Sequence, residues 1–212
     1  MKLTIYDLDG TLLARATFTP FLLFAATRLA PWRLVLTPAW VLLMVGYRAG
    51  LIGRTALKHA GMRLLVGRPS PARLDQAAKA FAVTRLADVQ PGARAAMDRD
   101  RQDGRIVVIA TAAYAFYARH IAGELRVEHL VASAWQGQGS DQANCYGPEK
   151  LVQVEAWLAG QGYGTAQLRF YSDSFADAPL LDRADEAFFV TRNPRKAARA
   201  RARGWQVADF SR

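Results

Sequence analysis

The sequence contains a single cysteine, Cys145, so no disulfide can close within the chain, which suits a reducing compartment. The sixth residue after it is Leu151, so the Cys-x5-Arg signature of thiol phosphatases is missing and Cys145 reads as structural. The three histidines, His59, His120 and His129, are scattered without ligand spacing and are assigned no role. Acid is missing from one long stretch: no Asp or Glu occurs from Gly10 to Leu74, where nine Lys and Arg do. That stretch is apolar at Phe18 to Ala30 and again at Leu34 to Tyr47. The second run has 14 residues without a charge, short of the roughly 20 that a helix needs to span a bilayer.

What is present is a chain of 212 residues, 51% hydrophobic and 22% charged. That is enough to bury a core and too apolar for a disordered polymer. The length fits one domain, or one domain with a sizeable insertion. A net charge of +10 and a pI near 10.2 point to an anionic partner without naming it.

Two acidic clusters stand at opposite ends of the chain: Tyr6-Asp7-Leu8-Asp9-Gly10-Thr11 and Tyr171-Ser172-Asp173-Ser174-Phe175-Ala176-Asp177. Each follows a short apolar run, Leu3-Thr4-Ile5 and Leu168-Arg169-Phe170, that reads as a buried parallel strand. Open α/β sheets bind ligands beyond the carboxyl ends of their strands, so these carboxylates are expected to converge. Gathered carboxylate oxygens form the hard-oxygen site that magnesium prefers. A cleaved leader is not expected, because cleavage would remove Asp7.

Further strands are predicted at Ile106 to Thr111, Leu130 to Ala132 and Ala187 to Val190. Helices are predicted at Ala72 to Leu86, Ala93 to Gln102, Tyr114 to Leu125 and Leu151 to Leu158. Strands alternating with helices imply an α/β protein with a parallel, doubly wound sheet. Pro31 and Pro38 are expected to break the apolar stretch into helical pieces. Two readings stay open there: an amphipathic or hairpin-like helical insertion, or a compact helical subdomain burying its own core.

The candidate site residues also have plainer uses. Asp7 and Asp9 could decorate a strand end, Thr111 could cap a helix, Lys150 could be a solvated lysine, and Asp177 could be a helix cap.

Taken in order, Asp7-Leu8-Asp9-Gly10-Thr11-Leu12, Thr111 at a strand end, Lys150 ahead of a helix, and Ser172-Asp173-Ser174-x-x-Asp177 resemble the haloacid dehalogenase-like (HAD) hydrolase superfamily. The resemblance implies a Rossmann-like core over residues 1–15 and 90–212. A helical C1 cap over residues 16–89 would be inserted after strand one. The interval from Thr111 to Lys150 leaves no room for a large second cap. By resemblance Asp7 is the nucleophile and Asp9 the general acid and base; Asp9 also favours a phosphatase over a dehalogenase. Thr111, Ala112 and Lys150 would hold the phosphoryl group, Lys150 as its compensating cation. A Mg²⁺ cofactor would be served by Asp7, Asp9 (its backbone carbonyl), Asp173 and Asp177, the last acting on the site or on Lys150 from the next shell.

The strings Cys145 to Lys150 and Tyr171 to Leu181 are similar to the subfamily IB branch that includes bacterial phosphatidylglycerophosphatase C. That resemblance implies a phosphomonoester substrate on a membrane phospholipid, with a cytoplasmic protein held at the cytoplasmic face of the inner membrane. The acid-free cap agrees, since apolar area with Lys and Arg is what binds an anionic bilayer surface. The alternative is a soluble small-molecule phosphatase, phosphoserine phosphatase-like or of broad specificity. The cationic cap opposes phosphoserine, whose ammonium it would repel. The basic stretch Arg195 to Arg203 reads as a helix with a solvated face. No nucleic-acid partner is expected, because no recognition motif accompanies the charge.

Overall fold

The computed structural model describes residues 1–135 and 144–212. Part of the interval between Thr111 and Lys150, where no second cap is expected, lies outside the described residues.

Six strands form one parallel sheet: β1 (Lys2–Tyr6), β2 (Ile106–Tyr114), β3 (His129–Ser133), β4 (Gln167–Ser172), β5 (Glu186–Val190) and β6 (Gln206–Ala208). Their order is β3-β2-β1-β4-β5-β6. Successive side chains alternate between the two faces. Leu3 and Ile5 enter one core and Tyr6 the other; Val108 and Ala110 are likewise separated from Val107 and Ile109. Because both faces are covered, the strands read as near-continuous apolar runs.

Between β1 and the next core helix lie α1 (Phe18–Leu29), a 3₁₀ segment (Pro31–Leu36), α2 (Thr37–Arg48), α3 (Arg54–Gly61), a π-helical turn (Met62–Val66) and α4 (Pro71–Arg85). One face of the sheet is then covered by α5 (Pro91–Gln102) and α6 (Ala115–Glu124), through Ala93, Met97, Tyr117 and Ile121. The other is covered by α7 (Pro148–Gly160), α8 (Ala178–Arg183) and α9 (Pro194–Arg201), through Val154, Leu158, Leu180, Leu181 and Ala200.

The two connectors to the inserted helices meet at the sheet. Leu13 and Val89 form an antiparallel bridge, and Ala14 N–H donates to Asp88 O at 2.8 Å. The insertion packs on the core through aromatic rings. Phe21 stacks on Tyr117 of α6 at 4.8 Å and meets Phe81 of α4 edge-on at 5.3 Å. The first apolar run is thus buried in a cluster that the insertion shares with the core: Phe21, Leu22, Ala25 and Ala26 are all sealed. The second is not. In α2 only Trp40 is fully buried. Among the described residues, no helix is long and apolar enough to cross a membrane.

Pro31 and Pro38 both open helical pieces, as expected: Pro31 starts the 3₁₀ segment and Pro38 sits in the first turn of α2, where its missing N–H would have lacked a partner anyway. Other details differ from expectation. Strand β2 runs past Thr111 to Tyr114, with an irregularity between those residues, so Tyr114 ends a strand rather than opening a helix. The short edge strand β6 was not foreseen, because three residues carry too little periodicity.

From β1 the chain steps outward to β2 and β3, whereas β4, β5 and β6 lie on the opposite side. This reversal opens a crevice beyond the carboxyl ends of β1 and β4. Asp7 follows the one and Asp173 the other.

Candidate active site

The backbone brings the two acidic loops together directly. Asp7 N–H donates to Tyr171 O at 2.9 Å, and Asp173 N–H donates to the buried Thr11 hydroxyl at 3.0 Å. Gly10 turns the first loop with φ +84°, and a Cβ there would fall 2.7 Å from Asp173 Cγ and 2.9 Å from its Oδ1. Only glycine lets the Asp173 carboxylate lie so close to that backbone.

Lys150 stands in the first turn of α7, not ahead of the helix, and it is buried rather than solvated. Its ammonium donates to Asp7 Oδ1 at 2.7 Å and to Asp177 Oδ2 at 2.6 Å. Asp177 also accepts from Ser172 Oγ at 2.8 Å and from Gly147 N–H at 3.4 Å. It occupies the N-cap position of α8 but makes no side-chain cap bond. Both Asp177 oxygens are therefore taken by protein donors, and its reach is toward Lys150.

Thr111 is buried inside β2, and its hydroxyl oxygen accepts from Ala113 N–H at 3.0 Å. The N-cap of α6 is Tyr114, so Thr111 is not a helix cap. The Ala112 carbonyl accepts from Lys58 Nζ at 2.7 Å and Ser133 Oγ at 3.0 Å. Asp9 Oδ1 accepts from Thr17 N–H at 3.0 Å.

All seven sequence-derived residues line one cavity of about 220 Å³: Asp7, Asp9, Thr111, Ala112, Lys150, Asp173 and Asp177, with Arg54 and Tyr146. Four carboxylates face two cations there, a formal excess of two negative charges. Burial accordingly pushes all of Asp7, Asp9 and Asp173 upward. Asp7 rises despite the pull of Lys150, Asp9 reaches about 6 despite the Thr17 bond, and Asp173 rises despite Lys196. The Lys150 ammonium is held above its usual range: its burial opposes the charge, but Asp7 and Asp177 outweigh it.

A divalent cation would offset that excess, and the donors are all hard oxygens. Among the described residues no three His, Cys, Asp or Glu side chains form a ready-made metal cage. Mg²⁺ is usually held by one or two carboxylates together with water and substrate phosphate. The donor chemistry fits.

A second cavity of about 320 Å³ adjoins the first and shares Asp9, Ala16, Arg54 and Ala112 with it. Its walls are Phe18, Met44, Tyr47, Leu57 and Tyr117, with Arg48 and Lys58 beside them. Lys58 was not singled out from the sequence, and neither was Arg54, whose guanidinium lies 3.9 Å from the Tyr146 ring centre. Their spacing of four residues on α3 is their only distinguishing signal, and other basic residues of the stretch carry nothing to rank below it. Burial pushes the Lys58 ammonium down to about 7. Cys145 is sealed, and burial pushes its thiol up to about 12, as suits a structural cysteine.

The family model of haloacid dehalogenase-like hydrolases matches residues 4–182. A protein of Mycobacterium tuberculosis named "Probable phosphatase" is 33% identical over 116 residues, 51% of this chain and 40% of that one. The chain thus spans about two fifths of the length of such curated relatives. A crystal structure of a Bordetella pertussis protein of unknown function is similar across 99% of this chain and 98% of its own, with TM-score 0.86 and 27% identity. A phosphoserine phosphatase caught as a phospho-aspartyl intermediate analogue shares the fold at TM-score 0.59 and 13% identity, over 100% of this chain and 94% of that one. With its sheet order, its site at the β1/β4 crevice and a family model covering most of its length, the chain belongs to the haloacid dehalogenase-like hydrolases.

Proposed function

We propose that the protein is a Mg²⁺-dependent phosphomonoester hydrolase that works through a phosphoryl group carried on Asp7. The observation that carries this reading is Lys150 Nζ held between Asp7 Oδ1 and Asp177 Oδ2 in a buried, acid-rich cavity. Lys150 fixes Oδ1 of Asp7, and no donor among the described residues bonds Oδ2. That oxygen attacks phosphorus as the bond to the leaving alcohol breaks, and Asp9 gives the alcohol its proton. Asp9 then takes a proton from water, whose oxygen attacks phosphorus and returns Asp7 as a carboxylate. Thr111, Ala112 and Lys150 hold the phosphoryl oxygens, so the chain supplies positioning and charge, which is most of what phosphoryl transfer requires. Bound Mg²⁺ would neutralise phosphoryl charge at Asp7, Asp173 and the Asp9 carbonyl. In this reading Asp177 serves by fixing Lys150.

Residues 16–89 act as a C1 cap over this site, and the cavity between cap and core receives the leaving alcohol. Its walls are apolar and its charged groups are cationic except for Asp9, which suits a partly apolar, anionic alcohol and disfavours an ammonium. Together with the subfamily IB-like strings at Cys145 to Lys150 and Tyr171 to Leu181, this favours a phospholipid phosphomonoester such as phosphatidylglycerophosphate. The likeness in fold to phosphoserine phosphatase supports a second reading, a soluble small-molecule phosphatase. A turnover screen with Mg²⁺ tests both, offering phosphatidylglycerophosphate in mixed micelles beside soluble phosphomonoesters that include phosphoserine. Preference for the micellar lipid is expected. Faster turnover of phosphoserine or another soluble ester would transfer the assignment to the second reading.

A further inference from the structure

Nine large apolar side chains are exposed among the described residues, and six of them fall within one short stretch: Trp32, Val35, Val41, Leu42, Val45 and Leu51. They belong to the 3₁₀ segment, the outward face of α2 and the turn after it. On α2 the outward positions Val41, Leu42 and Val45 follow helical spacing and lead to Arg48, while Trp40, Leu43, Met44 and Tyr47 face the core. A helix that packs by one face only normally turns a polar face to water. This one is apolar on both sides. Leu42 is 70% exposed and Trp32 65% exposed, so the face has no partner among the described residues.

We infer that this face is the docking surface for an anionic lipid bilayer, with α2 lying in the plane of the headgroups. The inference rests on the phosphatase reading only for its purpose, which is delivery of a lipid phosphate. The charge around the face selects the occupant. No acid occurs from Gly10 to Leu74, and Arg28, Arg33 and Arg48 make no ion pair among the described residues. Arg33 is instead fixed by bonds to the Arg63 and Leu64 carbonyls and lies 4.7 Å from the Trp32 ring centre. An exposed tryptophan beside arginine suits the boundary between headgroup and acyl chain. A second copy of this chain seated on the same face would bring arginines against arginines, a repulsive arrangement. At 12 residues, α2 is about 18 Å long, too short to span and long enough to lie along the interface. The opposite side of the same helix carries Met44 and Tyr47 into the cavity beside Asp9, with exposed Arg48 at the cavity rim between the two sides, so the membrane face and the leaving-group pocket share one helix.

Vesicle flotation tests the inference on the whole chain. The wild type should float with phosphatidylglycerol-containing vesicles, at least tenfold less with pure phosphatidylcholine, and progressively less as salt is raised. Leu42→Glu with Val45→Glu should reduce flotation at least tenfold while leaving Mg²⁺-dependent turnover of soluble p-nitrophenyl phosphate unchanged, because neither side chain lines the cavity. Asp7→Asn should float like the wild type yet turn over nothing; flotation without any wild-type turnover would retain the docking surface and reject the phosphatase. Absence of wild-type flotation would overturn the inference, as would equal binding to neutral vesicles or undiminished flotation of the double variant. A dimer dissociated by Leu42→Glu with Val45→Glu, without flotation, would assign the face to a second copy instead.

Discussion

Lys150 Nζ lies 2.7 Å from Asp7 Oδ1 and 2.6 Å from Asp177 Oδ2, all three groups being buried. A cation so placed has two tasks: it offsets carboxylates held away from water, and it stands where a phosphoryl group would arrive. Removing it leaves its partners uncompensated, which costs about 3–5 kcal/mol for a buried pair. Lys150→Met is therefore expected to lower the denaturation midpoint and to cut turnover at least about a hundredfold, at every metal concentration. A chemical melt with a parallel metal titration checks both.

Asp173 should behave differently. Its carboxylate lies against the Gly10 backbone, and it accepts no hydrogen bond from any other side chain among the described residues. Asp173→Asn should weaken apparent Mg²⁺ affinity by more than about tenfold, and high metal should partly restore the rate. Gly10→Ala should mimic it, since the added Cβ would displace that carboxylate and the left-handed backbone disfavours alanine. If Lys150→Met and Asp173→Asn respond alike to metal, their roles are not separate.

Asp9 carries a pH dependence whose sign follows from burial. Its folded value is pushed from 3.8 up to about 6, so the ionised form costs stability and the protonated form does not. The cost is absent below the unfolded value and complete above about 6, with an upper bound of about 3 kcal/mol because Asp9 is only partly sheltered. In metal-free protein Asp9→Asn should thus be more stable than wild type at pH 8, and the gain should vanish as pH falls toward 4.

The same residue should shape the kinetics. As the proton donor to the leaving alcohol, Asp9 loses its proton as pH rises through its folded value, about 6 in metal-free protein and drawn lower by a bound cation. The kcat/KM for an alkyl phosphate should fall across that range in parallel. For p-nitrophenyl phosphate, whose leaving group needs little protonation, the decline should be shallower. Parallel profiles for the two substrates would remove Asp9 from the role of general acid.

The parallel sheet could be read in advance because Leu3 to Ile5, Ile106 to Thr111 and Leu168 to Tyr171 are short and mostly apolar, with Arg169 their one charged residue, as suits strands covered on both faces. The convergence of Asp7 and Asp173 followed from strand ends alone. The Thr17 bond to Asp9 and the Lys58 bond to the Ala112 carbonyl left no trace in the sequence. Both depend on how the inserted helices sit on the core, which no local pattern encodes. Nor could the fate of the two apolar runs be told apart: Phe21 in the first run is sealed against Phe81 and Tyr117, whereas nothing among the described residues covers Val41, Leu42 and Val45 in the second. Hydrophobic periodicity reports that a face is apolar, not what meets it.

The central claim is a phosphoryl group carried on Asp7, and trapping that group tests it most directly. A single turnover with radiophosphate-labelled substrate and Mg²⁺ is quenched in acid, and the acyl phosphate is reduced with borohydride before peptide mapping. The account predicts label on the protein during turnover, reduction of Asp7 alone to homoserine, and neither signal in Asp7→Asn or after EDTA. Turnover with no labelled protein at any quench time, reduction at another carboxylate, or wild-type rates from Asp7→Asn would contradict it.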